Sequence, residues 1–346
     1  MKELITKLYK ENSLSKNELL QVINYSLKDP SLLFEKAWQT ARESYGDSVF
    51  IRALIEFSNY CKQNCKYCGI RKDNKKVDRY HLSKNEILLC IDKAQTLGFH
   101  SFVLQSGEDF SFTAESLVDI IKEIKQRAPN SALALSIGER DYETYKRLSD
   151  AGGNRFLLRH ETSNTQIYDN MHPNLSFESR VACLKNLRKA GFDIGAGFLV
   201  GLPNQTIADL VNDLLFLKEL NPEMVGIGPF IPHPDTPLKE CESGSLPITY
   251  IMLALVRLLL PYSLIPAATA VSTLNSDGRS MALKAGANVV MPNLSPQTVK
   301  EKYELYKNKA GSTDSSKNEL LKSIKVIKEV GLVPDMGRGD PIFKKS

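Results

Sequence analysis

The residues of this chain best suited to chemistry crowd into "SNYCKQNCKYCGIRKDN", where Cys61, Cys65 and Cys68, three of its six cysteines, fall within eight residues. Three thiolates are one ligand short of a closed metal site. A zinc ion would need a distant fourth ligand, and His81 is a candidate by type alone, since nothing about its spacing recommends it. A 4Fe-4S cube held at three corners would instead leave one iron free to bind a small molecule. The other cysteines, Cys90, Cys183 and Cys241, are scattered singly, and Cys90 and Cys183 fall on apolar helix faces as packing residues. The N-terminal "MKELITKLYKENSLSK" is charged and amphipathic without an apolar core, so the chain reads as cytoplasmic. In that compartment clustered thiols serve metals rather than disulfides.

The elements that must position these thiols follow a simple alternation. Short β-rich runs at 49–58, 101–107, 132–138, 155–161, 193–201, 224–231, 265–271 and 287–292 are separated by amphipathic helical windows. Ser83 with Glu86 three residues on forms a capping box for one helix; Ser176 opens another and Gly191 stops it. Eight strands alternating with helices predict an α/β fold, a complete (β/α)8 TIM-type barrel, over 49–300. Residues 1–48 read as a helical extension. Residues 301–346 read as a helix and short tail closing the barrel, with a polar loop at 306–319 and "PDMGRGDPIFKKS" as a partly ordered end. The apolar run "YIMLALVRLLLPYSLIPAATAV" is interrupted by Arg257, Pro261 and Pro266, so it reads as a buried helix feeding a strand and not as a membrane span. A net charge of +5 without a dense basic block, and without arginines interleaved with aromatics, reads as a solvated surface rather than a nucleic-acid footprint.

On this reading the cysteines follow the first strand, at the C-terminal mouth where barrels carry their chemistry. Period two puts Arg155, Leu157, Arg159 and Glu161 on one face of the fourth strand, and Phe156 and Leu158 on the other. The apolar face must meet the outer helices, so the ionisable face looks into the lumen. Gly195, Gly197, Leu199 and Gly201 line the next strand, and Met224, Gly226, Gly228 and Phe230 the one after. A lumen of glycine, arginine and glutamate is an open polar cavity. Its arginines call either for an anionic ligand or for internal carboxylate partners.

The C-x3-C-x2-C spacing, with Tyr67 before its last cysteine and on a strand-1 loop, is the radical SAM signature. The segments "RALIEFSNYCKQNCKYCGIRKDN", "VLQSGED", "RFLLRHETSN", "GAGFLVGLPNQT", "GIGPFIPHPDTPL" and "GANVVMPN" resemble the HydE family, the radical SAM maturases of FeFe-hydrogenase, over most of the chain. Biotin synthase and methylornithine synthase look like the nearest relatives of that family. The resemblance implies that Cys61, Cys65 and Cys68 hold a 4Fe-4S cluster whose free iron takes S-adenosylmethionine. It implies that "QSGED" with Gln105 approaches the methionyl amine, that Ser136 lies beside the cofactor, and that Tyr67 sits near the adenine. Glu161 is then the ribose-binding carboxylate and Arg180 the partner of the methionyl carboxylate. Reductive cleavage would yield a 5′-deoxyadenosyl radical. Arg155, Arg159 and Thr269 would cradle the substrate, with Met291 and Tyr303 as walls. That substrate is implied to be an anionic organometallic iron species bearing CO, cyanide and cysteine, attacked at sulfur, supplied by HydG and passed on to HydF.

Two departures from the family pattern matter. Some HydE proteins carry a second, C-terminal cysteine triad for an auxiliary cluster, whereas residues 304–325 contain no cysteine, so no second iron–sulfur cluster is expected. Ala268-Thr269 stands where a Thr-Thr pair is expected. Arg71, Lys72, Lys75, Lys76 and Arg79 form either a solvated loop face or a docking surface for an acidic electron donor of the flavodoxin or ferredoxin type. His172 in "MHPN" and His233 in "PHPDTP" belong either to active-site loops at the barrel ends or to ordinary proline-flanked turns. A methylornithine synthase-like mutase and a thiolate zinc scaffold are the alternative functions. Iron loading and deoxyadenosine formation separate the zinc reading from the other two.

Overall fold

The computed structural model describes residues 1–342. Strands β1 (Ser48–Ile51) and β2 (Ala53–Ser58) form one extended run, followed by β3 (Ser101–Ser106), β4 (Ala132–Ser136), β5 (Arg155–Leu157) and β6 (Asp193–Ala196). Then come β7 (Leu199–Val200), β8 (Met224–Val225), β9 (Gly228–Pro229), β10 (Val289–Val290) and β11 (Val333–Asp335). Six strands pair in parallel in the order β2-β3-β4-β5-β6-β8, and β10-β1-β11 form a second parallel group. Parallel bridges Met224–Leu264, Pro266–Val289 and Leu54–Asn293 close the ring. The barrel is therefore complete, and helices such as Lys84–Thr96 and Phe177–Ala190 cover it. Both helices open as their caps predict: Ser83 accepts from Glu86 N and Ser176 from Ser179 N.

Several expected strands are shorter or broken, for reasons of backbone geometry. The run at 193–201 splits into β6 and β7 around Gly197, whose φ is +149° and whose absent Cβ would lie 1.9 Å from Gly226 O. Strand-level pairing in the run at 265–271 stops at Pro266, and Thr269 already opens a helix, Thr269–Leu274. Of the C-terminal segment at 334–346, residues 343–346 lie outside the described residues, and β11 at its start pairs with β1 in the register Ser48–Val333 to Phe50–Asp335.

The apolar run at 250–260 is helical within Leu246–Leu259, and it is buried against the N-terminal helices. Arg257 is tolerated there because its guanidinium donates to the carbonyls of Gly286 (2.8 Å), Pro261 (2.7 Å) and Ser263 (2.9 Å) and to Asn288 Oδ1 (3.0 Å). Among the described residues no helix is long and apolar enough to cross a membrane.

The floor of the barrel is closed by the C-terminal "GRGD". Arg155, fully buried, donates to Arg338 O (3.0 Å), Gly339 O (2.8 Å) and Asp340 Oδ1 (2.7 Å). Arg52 reaches Gly339 O at 3.3 Å beside it. The expectation that Arg155 cradles a substrate is corrected here. It shares a face with Arg159 but sits at the N-terminal end of the strand, where the chain's own tail supplies its carboxylate.

Candidate functional site

Above that floor lies a cavity of about 350 Å³ at the C-terminal ends of the strands. Cys61, Cys65, Cys68, Tyr67, Gln105, Ser136, Arg159, Glu161, Arg180, Thr269, Met291 and Tyr303 all line it, and Arg155 does not. Cys90, Cys183 and Cys241 lie outside it.

The cysteine loop leaves β2 and is pinned from several sides. Lys66 N donates to Met171 O (2.9 Å), Gly69 N to Leu305 O (2.8 Å) and Lys62 N to Glu108 O (3.0 Å). Arg79 clamps it from beneath, donating to Ile70 O (2.8 Å) and Arg71 O (2.7 Å). Arg79 therefore holds the loop together, while Lys72, Lys75 and Lys76 remain exposed. Glu108 N donates to Cys61 Sγ at 3.3 Å from the turn after β3. That turn approaches so closely that a Cβ at Gly107 would meet Tyr60 O at 2.2 Å and Cys61 Cβ at 2.7 Å.

Burial, and then mutual repulsion among the thiols, pushes Cys65 well up and Cys68 to about 12; burial also raises Cys61. Three thiols so enclosed ionise readily only against a positive partner such as a metal. Among the described residues no three His, Cys, Asp or Glu side chains converge closely enough to hold a single ion.

Tyr67 is fixed by a histidine. His172 Nδ1 donates to Tyr168 O (2.9 Å), which leaves Nε2 to accept from the Tyr67 hydroxyl at 2.8 Å. Burial and the nearby Arg180 hold His172 down at about 3, so the imidazole is neutral. His233 instead packs its ring on the loop at Gly69.

Glu161 projects from the end of the fourth barrel strand with φ +64°. Its backbone is held by Gly197 O (3.0 Å) and Leu199 N (3.0 Å). Arg159 Nε donates to Glu161 Oε1 at 3.2 Å. Its Nη2 lies 3.1 Å from Oε2 without the angle for a hydrogen bond, so that buried oxygen has no hydrogen-bond partner. Arg180, near the start of the helix Phe177–Ala190, forks between Glu139 Oε1 (2.6 Å) and the carbonyl of Arg159. Gln105 Nε2 reaches Tyr303 Oη at 3.4 Å.

Sequence reasoning passed over several lining residues. Glu56 shares the lumen face of β2 with Leu54, so the period-two argument applied to the fourth strand would have found it. It forms a buried ion pair with Lys309, which comes from the polar loop after residue 300 and carries no local signal. Tyr306 lines the same side. Glu108, gripped by Gln63 Nε2 (2.6 Å) and Glu139 N (2.9 Å), sits inside the "QSGED" turn.

This arrangement sets three thiols, a carboxylate with one oxygen that accepts no hydrogen bond and two guanidinium groups around one cavity. It can hold a thiolate-ligated metal centre beside a molecule bearing hydroxyls and a carboxylate.

The comparisons agree with that chemistry. The model of the radical SAM superfamily matches residues 55–217. The FeFe hydrogenase maturase subunit HydE of Thermotoga maritima is 49% identical over 277 residues, 80% of this chain and 79% of its own. The 3-methylornithine synthase of Methanosarcina acetivorans is 30% identical over 262 residues, 74% of this chain and 73% of its own. Among solved structures, a methylornithine synthase superposes with a TM-score of 0.82 at 24% identity, covering 96% of this chain and 97% of that one, a likeness of fold.

Proposed function

The chain belongs to the HydE family of the radical SAM superfamily, and from that footing we propose that its cavity acts on an anionic, sulfur-containing iron complex during FeFe-hydrogenase maturation. It is a radical SAM enzyme, and its family implies a 4Fe-4S cluster and S-adenosylmethionine. Cys61, Cys65 and Cys68 would hold the cluster, one per chain. A cube is wider than an ion, which suits thiols that line one cavity without converging on one point. Held there, the cluster would supply one-electron chemistry, passing an electron from an external reductant to S-adenosylmethionine for its cleavage to methionine and a 5′-deoxyadenosyl radical.

The chain's own residues bind, orient and exclude water. Glu161 Oε2, ion-paired with Arg159 at 3.1 Å yet accepting no hydrogen bond, is the observation that carries the cofactor assignment, since a buried carboxylate oxygen with unused acceptor capacity suits a ribose hydroxyl. Arg180 would take the methionyl carboxylate, Gln105 and the "QSGED" turn the amine, and Ser136 and Tyr67 the remaining cofactor surface. On the far side Arg159 and Thr269 face the substrate volume, with Met291 and Tyr303 as walls. Arg159, which lines the cavity while paired with Glu161, would be the guanidinium turned towards an anionic iron–CO–cyanide–cysteine complex, which HydG would supply and whose product HydF would receive.

The reading is tested by anaerobic reconstitution. About four irons per chain, deoxyadenosine on adding dithionite and S-adenosylmethionine, and consumption of a synthetic iron–cysteine complex are expected. Deoxyadenosine without consumption of the complex would overturn the substrate. Conversion of lysine to methylornithine would favour the relative that shares the fold.

A further inference from the structure

We propose that Lys309 and Glu56 are a positioning pair that holds one wall of the cavity in place, so that the radical meets the substrate and not a stray C–H or S–H hydrogen donor. The proposal rests on the radical SAM reading and goes beyond it, for neither residue belongs to the cluster or cofactor contacts.

Residues 301–315 run between the helices Gln297–Lys300 and Ser316–Glu329 without a helix or strand of their own. This strap nevertheless supplies Tyr303, Leu305, Tyr306 and Lys309 to the cavity lining. It is tied to the cluster loop where Gly69 N donates to Leu305 O (2.8 Å), and to the turn before that loop where Asn59 Nδ2 donates to Lys302 O (2.7 Å). Among the described residues its one ionic anchor inside the barrel is Lys309, whose ammonium donates to Glu56 and to Tyr303 O (3.0 Å) and lies 4.9 Å from the Tyr303 ring centroid.

Both partners are out of water: Glu56 is 1% exposed and Lys309 8%. A buried ion pair is seldom more stable than apolar packing of the same shape, but removing one member strands a charge. Such a pair therefore fixes geometry more than it adds stability. Glu56 is itself aimed from behind, its Oε2 taking Asn293 Nδ2 (2.7 Å) and its N donating to Ser295 Oγ (2.8 Å). The series Asn293, Glu56, Lys309, Tyr303, Gln105 thus runs from the bridge residue after β10 to β3. Without the lysine, the tyrosine wall loses its charged hold on the barrel, and the loosened cavity lets the radical take a hydrogen atom from a C–H or S–H group of the wall or the buffer instead of reacting with the substrate.

The test uses reconstituted full-length protein with Lys309→Met, Glu56→Gln, the double variant and Lys309→Arg. Iron content and dithionite-driven deoxyadenosine formation should match the wild type. Amide hydrogen exchange over 303–310 should quicken in both single variants while the strands stay protected. With the iron–cysteine complex present, deoxyadenosine formed per complex consumed should rise about tenfold, the size expected when a reacting pair is misplaced by a fraction of an ångström. Lys309→Arg should restore most of the coupling. If a single variant loses iron, the double variant, which strands no charge, carries the comparison.

Unchanged exchange overturns the proposal, and so does faster exchange with wild-type coupling, which would make the pair merely structural. If the wild type consumes no iron complex, the substrate assignment fails on its own. The exchange measurement then decides for or against the tether.

Discussion

Glu161 shows how a single residue is prepared for its role. A left-handed backbone costs a non-glycine residue about 1–2 kcal/mol, and it persists here because Gly197 O and Leu199 N grip both sides of the peptide. The carboxylate is thereby aimed into the cavity with one oxygen that accepts no hydrogen bond. Glu161→Gln should weaken S-adenosylmethionine binding about 10- to 100-fold, the worth of a hydrogen bond to a charged group. Equilibrium dialysis with reconstituted protein measures it, and an unchanged Kd would remove Glu161 from the cofactor site. The two lumen-facing arginines differ sharply at the same scale. Arg159→Met should raise the KM for the iron complex with little effect on thermal stability. Arg155→Met should lower Tm and leave that KM alone, because its partners are the tail and not the cavity. A KM effect at Arg155 would return it to the substrate site.

At the level of elements, the turn after β3 and the cysteine loop after β2 form a single contact unit. Gly107 lets the turn press on Tyr60 and Cys61, and Glu108 then offers its N–H to the Cys61 sulfur. Gly107→Ala has no room without shifting one loop. The variant should keep its circular dichroism while reconstituting with clearly less iron per chain; full iron loading would mean that the loops yield cheaply. Gly138 makes the equivalent close approach after β4, since a Cβ there would meet Glu108 Cγ at 1.9 Å. Loop tips of different strands thus fix one another, and the barrel ends where they sit are rigid.

The whole molecule decides what closes the barrel below and what meets it above. Below, Asp340 and the neighbouring carbonyls answer a buried guanidinium, so Asp340→Ala should cost about 2 kcal/mol, read by urea unfolding of the reconstituted protein. Above, the exposed aromatic rings Tyr60 and Phe110 adjoin Cys61 and Glu108, with Lys62 Nζ 3.7 Å and Arg140 Cζ 3.9 Å from the Phe110 ring centroid. Together with Lys72 and Lys75 this face suits an acidic electron carrier. Lys72→Gln with Lys75→Gln should slow reduction by a flavodoxin or ferredoxin at low salt and leave dithionite reduction unchanged; equal rates with the protein donor would refute the docking face. The sequence by itself determined the cysteine triad, the strand–helix alternation, and the lumen-facing Arg159 and Glu161, because spacing, caps and period two are local patterns. It left open the depth at which each lumen residue lies, so Arg155 and Arg159 looked alike. Only the tertiary structure separated them, and only it set Lys309 on Glu56 across 253 residues of sequence. A pairing of that kind depends on which surface loop folds over the barrel mouth, and packing settles that, not any repeat in the chain.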